Sequence, residues 1–409
     1  MTSTLTRRDA VLRRIVAADE AEFAASWWGQ APLLSRAADL GGPDGFRDLL
    51  SSAAVDELLS RRGLRTPFLR VAQQGKVLPG GRYTGGGGPG AEITDQVHDE
   101  QVMRLFADGA TLVLQGLHRI WEPLIDFTGR LGAELDRPLQ VNAYLTPPSS
   151  QGFATHYDTH DVFVLQVEGA KRWIIHPPVL PDPLERQPWG GRADEVAATA
   201  EGRAALDVVL QPGDALYLPR GWLHSARTEN GRSLHVTVGI RGLTRYALVE
   251  ELLGMAVTDP RLRASLPYGF DLTDPDAVGA ELTATVDALR SWLLTADPEQ
   301  LAAALRERTV TRPAPLSPLA QLDFAESLTP ADEITARPGL RREITRDGDR
   351  ITVRLAGGRT LTMPVSCEAA VRMALDGAPC TVGGLPLDDD ADRLVLARRL
   401  LTEGLVVPT

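Results

Sequence analysis

Residues 156–173 read HYDTHDVFVLQVEGAKRW, a strongly apolar run that opens with titratable side chains. His156 and Asp158 stand two positions apart, and residues i and i+2 of a β-strand project to the same face, so both side chains can reach one ion. The side chains of the adjacent pair His160 and Asp161 diverge on a regular strand, which predicts for His160 a position at the rim of the site or behind the metal ligands. The run therefore predicts a strand with a metal site at its start.

A second motif lies downstream, in QPGDALYLPRGWLHSA at 211–226. Its Pro-Gly pair predicts a tight turn, an apolar strand follows at 214–218, and His224 comes after a further turn. Two histidines and one carboxylate on neighbouring strands would occupy one face of an octahedral ion, which is the facial triad of non-haem Fe(II) oxygenases. A pair of hydrogen-bonded histidines in the core or at the surface is the plainer alternative.

Lys171 is one of only two lysines in the chain. The turn at 168–170 predicts that the chain returns as a second strand, which would place this ammonium group beside the predicted metal face. Burying an ammonium is costly unless an anion neutralises it. A dicarboxylate co-substrate that chelates the metal at one end and pairs with Lys171 at the other supplies that anion. The alternative is a surface lysine on an edge strand.

Short runs rich in Val, Ile, Leu, Tyr and Thr fill residues 110–242 and are separated by Gly and Pro. This density of short strands and turns predicts a sandwich or barrel. Amphipathic helices are predicted before it, at 18–28 and 45–59, and helical spacing resumes after Arg241. The whole is an α+β fold class.

The C-terminal part follows a Pro-rich linker, TRPAPLSP at 311–318. Two hairpin-like segments, around 347–349 and 357–358, and two helices, near 367–375 and 390–401, predict a winged-helix-like module. Residues 316–409 carry 11 Arg against 14 Asp and Glu, so this module lacks the positive charge of a DNA reader. A structural or protein-contact role is expected instead.

Composition restricts where the protein works and what it binds. The chain has 409 residues and a net charge of −11, which opposes binding to nucleic acid and suits a basic protein or peptide partner. Its two cysteines, Cys367 and Cys380, lie far from the histidines, which indicates a reducing compartment. The N-terminus lacks the apolar core of a signal peptide and no segment is long enough to span a bilayer, so we expect a cytoplasmic protein.

The quoted motifs, with WWGQAPLLSR at 27–36, DGATLVLQGL at 108–117, VNAYLTPP at 141–148 and SLHVTVG at 233–239, resemble the cupin-fold Jumonji C oxygenases. Within them the chain is most similar to the ribosomal oxygenases, which are Fe(II)- and 2-oxoglutarate-dependent protein hydroxylases. The resemblance implies a double-stranded β-helix barrel and iron ligation by His156, Asp158 and His224. It places Lys171 at the distal carboxylate of 2-oxoglutarate. Further pocket residues implied by it are Asn142, Tyr144, His235 and Thr237.

The family layout implies three parts: a catalytic domain at 1–243, a helical dimerisation region at 244–315 and a winged-helix-like domain at 316–409. The implied activity is hydroxylation of an Arg or His side chain of a ribosomal protein by a homodimer, with O₂ and 2-oxoglutarate as co-substrates. Another peptide or a natural-product precursor is an alternative substrate. A lysine demethylase on the same fold, a cupin metalloenzyme without redox chemistry and a non-catalytic scaffold are alternative functions.

Two further expectations complete the prediction. The insertion at 182–202, with Trp189 between Pro188 and Gly190, is either a lid over the site or an ordinary surface loop. A His-Asp-His site also accepts manganese, cobalt or nickel, so the ligand set alone leaves the identity of the metal open.

Overall fold

The computed structural model of the chain describes residues 11–42, 45–148, 150, 153–309, 312–356 and 358–409. Strands dominate up to residue 240, where the sequence alternates Val, Ile, Leu and Thr with turn residues. The strands are β1 (Leu33–Ser35), β2 (Leu69–Gln73), β3 (Lys76–Val77), β4 (Thr84–Gly85), β5 (Gln96–Val97), β6 (Thr111–Leu114), β7 (Leu139–Thr146), β8 (Asp161–Glu168), β9 (Lys171–His176), β10 (Leu206–Leu210), β11 (Ala215–Leu218), β12 (Leu223–Thr228), β13 (Ser233–Ile240), β14 (Glu333–Ala336), β15 (Arg342–Asp347), β16 (Arg350–Leu355), β17 (Thr360–Pro364), β18 (Cys380–Thr381) and β19 (Val406–Pro408).

Helices flank the strands and follow them. They are α1 (Glu20–Glu22), α2 (Ser52–Arg61), α3 (Asp99–Ala107), α4 (Glu122–Leu135), α5 (Ala193–Ala200), α6 (Arg245–Met255), α7 (Pro260–Arg263), α8 (Pro275–Leu293), α9 (Pro298–Arg308), α10 (Pro318–Ser327), α11 (Glu368–Ala374) and α12 (Asp390–Thr402). The helix predicted at 45–59 begins only at Ser52, because the Ser51 side chain accepts a hydrogen bond from the Ala54 amide and caps it there. The helix predicted at 18–28 is α1 continued by a π-helical turn, Phe23–Trp27.

The contacts within the chain divide it into two compact units. The first consists of Met1–Arg241, Thr311–Leu340 and Ala369–Thr409, and the second of Gly242–Val310 and Arg341–Glu368. Each unit therefore combines segments that are distant in sequence, whereas the sequence predicts three consecutive parts.

The first unit is built on an eight-stranded sheet in the order β1-β11-β8-β13-β7-β6-β2-β3, and a three-stranded sheet in the order β10-β9-β12. The neighbouring strands pair antiparallel. Side chains from both sheets, including Val162 and Leu216 of the large one and Trp173 and Val208 of the small one, form one apolar cluster. The two sheets therefore pack face to face, as the strand pattern predicts for a sandwich or barrel.

Strand β8 is buried on both faces, which explains its nearly continuous apolar sequence. Val162 and Val164 point to the cluster between the sheets, whereas Phe163, Leu165 and Val167 point to the other face. That other face packs against helices α2, α3 and α4 in the main core. The middle of the opening stretch is thus the centre of the fold.

The second unit contains helices α6 to α9 and the antiparallel sheet β15-β16-β17. The hairpin predicted around 347–349 is confirmed, with Asp347 paired to Arg350 and Gly348 at φ +58° in the turn. Strands β16 and β17 form the second predicted hairpin, of which Gly357 lies outside the described residues. Among the helices that the structure describes, none is long and apolar enough to cross a membrane.

Candidate metal centre

The two histidines of the predicted triad are joined through their backbones. His156 forms an isolated antiparallel bridge with His224, in which each amide donates to the other's carbonyl, at 3.2 and 2.8 Å. The prediction that His156 and Asp158 lie on a regular strand is wrong, since β8 begins only at Asp161. The segment before it bends around the turn at 219–221, because the Asp158 carbonyl accepts from the Gly221 amide at 2.9 Å.

The structure brings His156, Asp158 and His224 together. One ligand atom from each lies within 4.8 Å of the others, and His224 Nε2 is 3.8 Å from Asp158 Oδ2. The ring centroids of the two histidines are 4.4 Å apart. His224 is buried, and the other two side chains are half-buried. Small side-chain rotations would place all three donors on one ion.

Each histidine ring is held in one tautomer by a backbone carbonyl. Nδ1 of His156 lies 2.8 Å from the Ala154 carbonyl oxygen, and Nδ1 of His224 lies 3.1 Å from that of Trp222. A carbonyl oxygen only accepts, so each Nδ1 carries the hydrogen and each Nε2 keeps its lone pair. This arrangement is typical of metal-ligating histidines. The donor set of two imidazoles and one carboxylate therefore fits a divalent transition metal.

Electrostatics keeps His224 and Asp158 in the protonation states that a metal needs. Burial, together with the charge of His156, lowers the pKa of His224 to about 4. Burial raises the pKa of Asp158, but the charges of His224, His160 and His156 outweigh burial and leave that pKa below its usual value. At neutral pH the site thus offers a neutral imidazole at His224 and a carboxylate at Asp158.

Lys171 is buried, with 3% of its surface exposed, at the start of β9. Its ammonium group donates to Thr146 Oγ1 at 3.0 Å, and burial lowers its pKa to about 7. The alternative of a surface lysine on an edge strand is excluded, because β9 lies between β10 and β12. No carboxylate pairs with Lys171 among the residues that the structure describes.

The triad and Lys171 line one cavity of about 600 Å³. Its wall follows the two-residue period of the strands, since alternate residues of β7 and β13 face it. The structure places all four secondary candidates of the sequence prediction on this wall: Asn142, Tyr144, His235 and Thr237.

Tyr144 and His235 form a stacked pair inside the cavity. They are register partners on β7 and β13, and their rings are parallel with centroids 4.9 Å apart. Burial, with the charge of Asp158, raises the pKa of Tyr144 to about 12, so its hydroxyl stays a hydrogen-bond donor. Burial, with the charge of Lys171, holds the pKa of His235 well below its usual value. Nδ1 of His235 has no hydrogen-bond partner among the described residues. The pair thus presents a hydroxyl donor and a neutral imidazole to the cavity.

The sequence prediction missed several cavity residues. Trp173 stands two positions after Lys171 and therefore faces the same side, and Gln140 precedes Asn142 by the same interval. The two-residue period of the strands could therefore have identified Trp173 and Gln140 as cavity residues from the sequence. Arg70 reaches the cavity from β2, far away in sequence, and only the sheet order reveals it.

The neighbours of the triad differ in role. His160 lines the cavity as predicted, and its Nε2 lies 3.2 Å from the Gln140 amide nitrogen. Asp161 is buried instead and accepts from the Tyr217 hydroxyl at 2.7 Å and from the Arg220 amide at 2.9 Å. The insertion carries a 3₁₀ turn, Trp189–Arg192, and the Trp189 ring is 6.3 Å from that of His156.

Comparison with known families agrees with this geometry. Residues 127–248, which hold the triad, Lys171 and the cavity strands β7 to β13, match the family model of the JmjC domain. This stretch of the chain is therefore similar to a JmjC domain. The match ends at residue 248, close to the start of α6.

Curated proteins that this chain resembles are named bifunctional lysine-specific demethylase and histidyl-hydroxylase NO66. The protein from Drosophila persimilis is 45% identical over 134 residues, which are 31% of this chain and 19% of that protein. The one from Drosophila erecta is 32% identical over 259 residues, 60% of this chain and 35% of that protein. The chain thus matches only about a fifth to about a third of these relatives' length.

Solved structures extend the likeness to nearly the whole chain. The Escherichia coli ribosomal oxygenase YcfD matches with a TM-score of 0.53 and 19% identity, over 96% of this chain and 98% of that one. Its complex with cobalt and 2-oxoglutarate matches with a TM-score of 0.52 and 18% identity, over 96% and 99%. At this identity the likeness shows the fold, a JmjC/cupin fold with mixed helix and strand content.

Proposed function

We propose that this protein is an Fe(II)- and 2-oxoglutarate-dependent oxygenase that hydroxylates a protein side chain, an Arg or His of a ribosomal protein. One observation carries the proposal: a His-Asp-His cluster faces the same cavity as a buried lysine that pairs with no carboxylate of the described residues. The cluster suits a redox-active divalent metal, and the lysine suits the far carboxylate of a dicarboxylate.

In this proposal His156, Asp158 and His224 would hold Fe(II). The bound metal would supply O₂ activation, by which 2-oxoglutarate and a substrate C–H bond would be converted to succinate, CO₂ and a hydroxylated side chain. The protein's own part is to keep both imidazoles in the Nδ1–H form through the carbonyls of Ala154 and Trp222.

Lys171 would bind the distal carboxylate of 2-oxoglutarate, because its ammonium group is buried and pairs only with the Thr146 hydroxyl among the described residues. The Tyr144 hydroxyl, which stays protonated, would donate to the same co-substrate. The other proposed contacts to the co-substrate are Asn142, His235 and Thr237, which line the same cavity.

The substrate class is supported by the relatives' names, which include a histidyl-hydroxylase and a ribosomal oxygenase. Both names imply a protein substrate. A net charge of −11 suits a basic target such as a ribosomal protein, and such a target would be met in the cytoplasm. The same site would also serve another peptide or a natural-product precursor.

The accessory parts follow the family layout in this proposal: a catalytic domain at 1–243, a helical dimerisation region at 244–315 and a winged-helix-like domain at 316–409. An exposed apolar stripe on α8 supports a homodimer. The stripe consists of Val278, Leu282, Val286 and Leu293, which recur at helical spacing and are 37%, 60%, 51% and 42% exposed. Helices α10 and α12 and the paired strands β14 and β19, which belong to one compact unit, support the winged-helix-like assignment.

The test combines a co-substrate assay with a substrate search. Purified protein with Fe(II) and 2-oxoglutarate should release succinate only in the presence of O₂, and the His156→Ala variant should not. Intact-protein mass spectrometry of ribosomal proteins from a strain that lacks the protein should show one of them lighter by one oxygen atom. Activity without O₂ would favour a cupin metalloenzyme without redox chemistry, and unchanged masses would move the search to other peptides.

A further inference from the structure

The charges that line the cavity divide into an inner and an outer set. The charged side chains of the described wall, apart from the histidines, are Arg70, Arg119, Asp158, Lys171 and Arg241. Asp158 and Lys171 belong to the inner set, together with the divalent metal and the dicarboxylate of the proposed function. The formal charges of that set, −1, +1, +2 and −2, cancel, so the inner site is neutral when loaded. The positive charges of the three arginines, Arg70, Arg119 and Arg241, are not cancelled within this set.

One of the three arginines already has a partner. Arg241 forms an ion pair with Glu185 at 3.1 Å. For Arg70 and Arg119, no ion pair exists within the part of the chain that the structure describes. Both are exposed residues of the cavity wall, in a chain whose net charge is −11. Two cations without an ion pair among the described residues therefore border the cavity.

Strand register fixes the direction of Arg70. Arg70 pairs with Val113, Val113 with Tyr144, and Tyr144 with His235. Directly opposed residues of neighbouring strands point to one face, so Arg70 lies in the same row as the stacked Tyr144–His235 pair and faces the cavity. With strands about 4.8 Å apart, Arg70 lies roughly 10 Å across the sheet from Tyr144.

Phe68 lies near the side chain of Arg119 and precedes Arg70 by two positions in the chain. The side-chain position that Gly116 leaves vacant is 3.3 Å from Phe68 Cε1 and 3.9 Å from Arg119 Cδ, so the arginine stem lies beside this ring. Phe68 stands two positions before Arg70, and its carbonyl accepts from the Gln115 amide at 2.8 Å. The Phe68 ring and the side chains of Arg70 and Arg119 thus border the cavity together.

We propose that Arg70 and Arg119 bind an acidic side chain of the protein substrate, two or three residues from the hydroxylated position. In this proposal the hydroxylated position lies beside Tyr144, and an extended peptide advances about 3.4 Å per residue, so the roughly 10 Å from Tyr144 to Arg70 corresponds to about three residues. A carboxylate suits this position because a guanidinium group binds it in a bidentate fashion. The inference rests on the proposed function, which identifies the target as a protein side chain. It adds that the substrate sequence carries an acidic residue near the hydroxylated one.

The experiment measures peptide binding without turnover. Fluorescein-labelled heptapeptides with a central His and with Asp, Asn or Lys two and three positions away on both sides are titrated into the full-length protein, saturated with Co(II) and 2-oxoglutarate under argon. The Asp peptide should bind about fivefold or more tightly than the Asn peptide, the upper range for exposed ion pairs. Raising the salt concentration should reduce this preference.

Variants separate charge recognition from a structural effect. Arg70→Gln with Arg119→Gln should abolish the Asp preference, and Arg70→Glu with Arg119→Glu should convert it into a Lys preference. Arg82→Gln is the matched control, because Arg82 is exposed and does not line the cavity. Equal binding of Asp and Asn peptides to the native protein, or an Asp preference that survives in the Gln double variant, would overturn the proposal.

Two further measurements keep the proposals distinguishable. If an oligoribonucleotide binds in an Arg70- and Arg119-dependent manner while the Asp peptide shows no preference, the anion is a nucleic-acid phosphate and the peptide proposal is wrong. Co(II) binding and peptide-independent succinate release are followed in the same variants. Their absence in the native protein, combined with a retained Asp preference, would refute the proposed function and leave the docking site standing.

Discussion

The backbone amides of His156 and His224 each donate to the other's carbonyl, although the two residues are 68 positions apart in the chain (224 − 156). Two proposed ligands are therefore positioned by main-chain hydrogen bonds that do not depend on their side chains. A substitution at either position removes a donor to the metal and leaves the bridge in place.

This arrangement predicts that His156→Ala and Asp158→Ala abolish turnover and metal binding without unfolding the protein. Isothermal titration with Co(II) measures the first effect under argon, and thermal unfolding measures the second. His98→Ala serves as the control, since His98 is half-buried like His156 and lies outside the cavity. Iron-dependent activity retained in the His156 variant would rule out the triad assignment.

Gly221 links the Asp158 segment to the turn before His224. It has φ +86°, and an added Cβ would lie 2.8 Å from the Leu180 carbonyl oxygen. The left-handed conformation costs about 1–2 kcal/mol for a non-glycine residue, and overpacking adds about 1–3 kcal/mol. We expect Gly221→Ala to lower both the free energy of unfolding and metal affinity.

Gly231 provides the matched control for this prediction. Its φ is +100°, but nothing lies within 4 Å of an added Cβ. Gly231→Ala therefore introduces the backbone strain without the clash and should cost only about 1–2 kcal/mol, with metal affinity unchanged. Chemical denaturation and Co(II) titration of both variants check this, and equal losses in the two would refute the role of the turn.

Asp161, at the start of β8, accepts hydrogen bonds from the end of β11 and from the turn that precedes His224. Its carboxylate accepts from the Arg220 amide and from the Tyr217 hydroxyl, which itself accepts from the Gly29 amide at 2.9 Å. Asp161→Ala would leave a buried donor without a partner, and the loss of an outer hydrogen bond typically costs 10–100-fold in metal affinity. Tyr217→Phe keeps the bond from Arg220, so its metal affinity should fall less. If both variants bind Co(II) like the native protein, Asp161 has only a structural role.

The sequence predicted those features of the site that depend on residues only a few positions apart in the chain. The interval from His156 to Asp158 and the return of the chain at Lys171 are local patterns, and each identified residues that line the cavity. The other four candidates, Asn142, Tyr144, His235 and Thr237, came from the family resemblance. The bend before β8 was not predicted, because the hydrogen bond from Gly221 comes from a turn more than sixty positions away. Arg70 was also not predicted as a cavity residue. It lies in the row of Tyr144 only because β2 pairs with β6 and β6 pairs with β7, and the sequence does not show these long-range pairings.

The pKa of Lys171, lowered to about 7 by burial, predicts how 2-oxoglutarate binding depends on pH. The ammonium form prevails below that pH and pairs with a carboxylate, whereas the neutral amine prevails above it. The Kd of 2-oxoglutarate should therefore rise between pH 7 and 8, by up to about tenfold per pH unit. His224, with a pKa of about 4, stays neutral throughout this range and does not confound the measurement.

Lys171→Ala tests the same assignment by substitution. The variant should raise the KM for 2-oxoglutarate, change kcat at saturation less, and lose the pH dependence of binding, because the titrating group is gone. Titration of 2-oxoglutarate into the Co(II)-loaded proteins at pH 6, 7 and 8 gives the comparison. An unchanged KM, or a pH dependence that persists in the variant, would contradict a role in co-substrate binding.

The exposed stripe of α8 predicts the oligomeric state. Burying a Leu or Val side chain contributes about 1.5–3 kcal/mol, so a homodimer formed through this stripe should be weakened more than a hundredfold by Leu282→Asp with Val286→Asp. Light scattering after size-exclusion chromatography should then report a monomer with unchanged metal binding. Val395→Asp is the control, since Val395 is 65% exposed on α12, outside the helical region. A native protein that is already monomeric at micromolar concentration would refute dimerisation through α8.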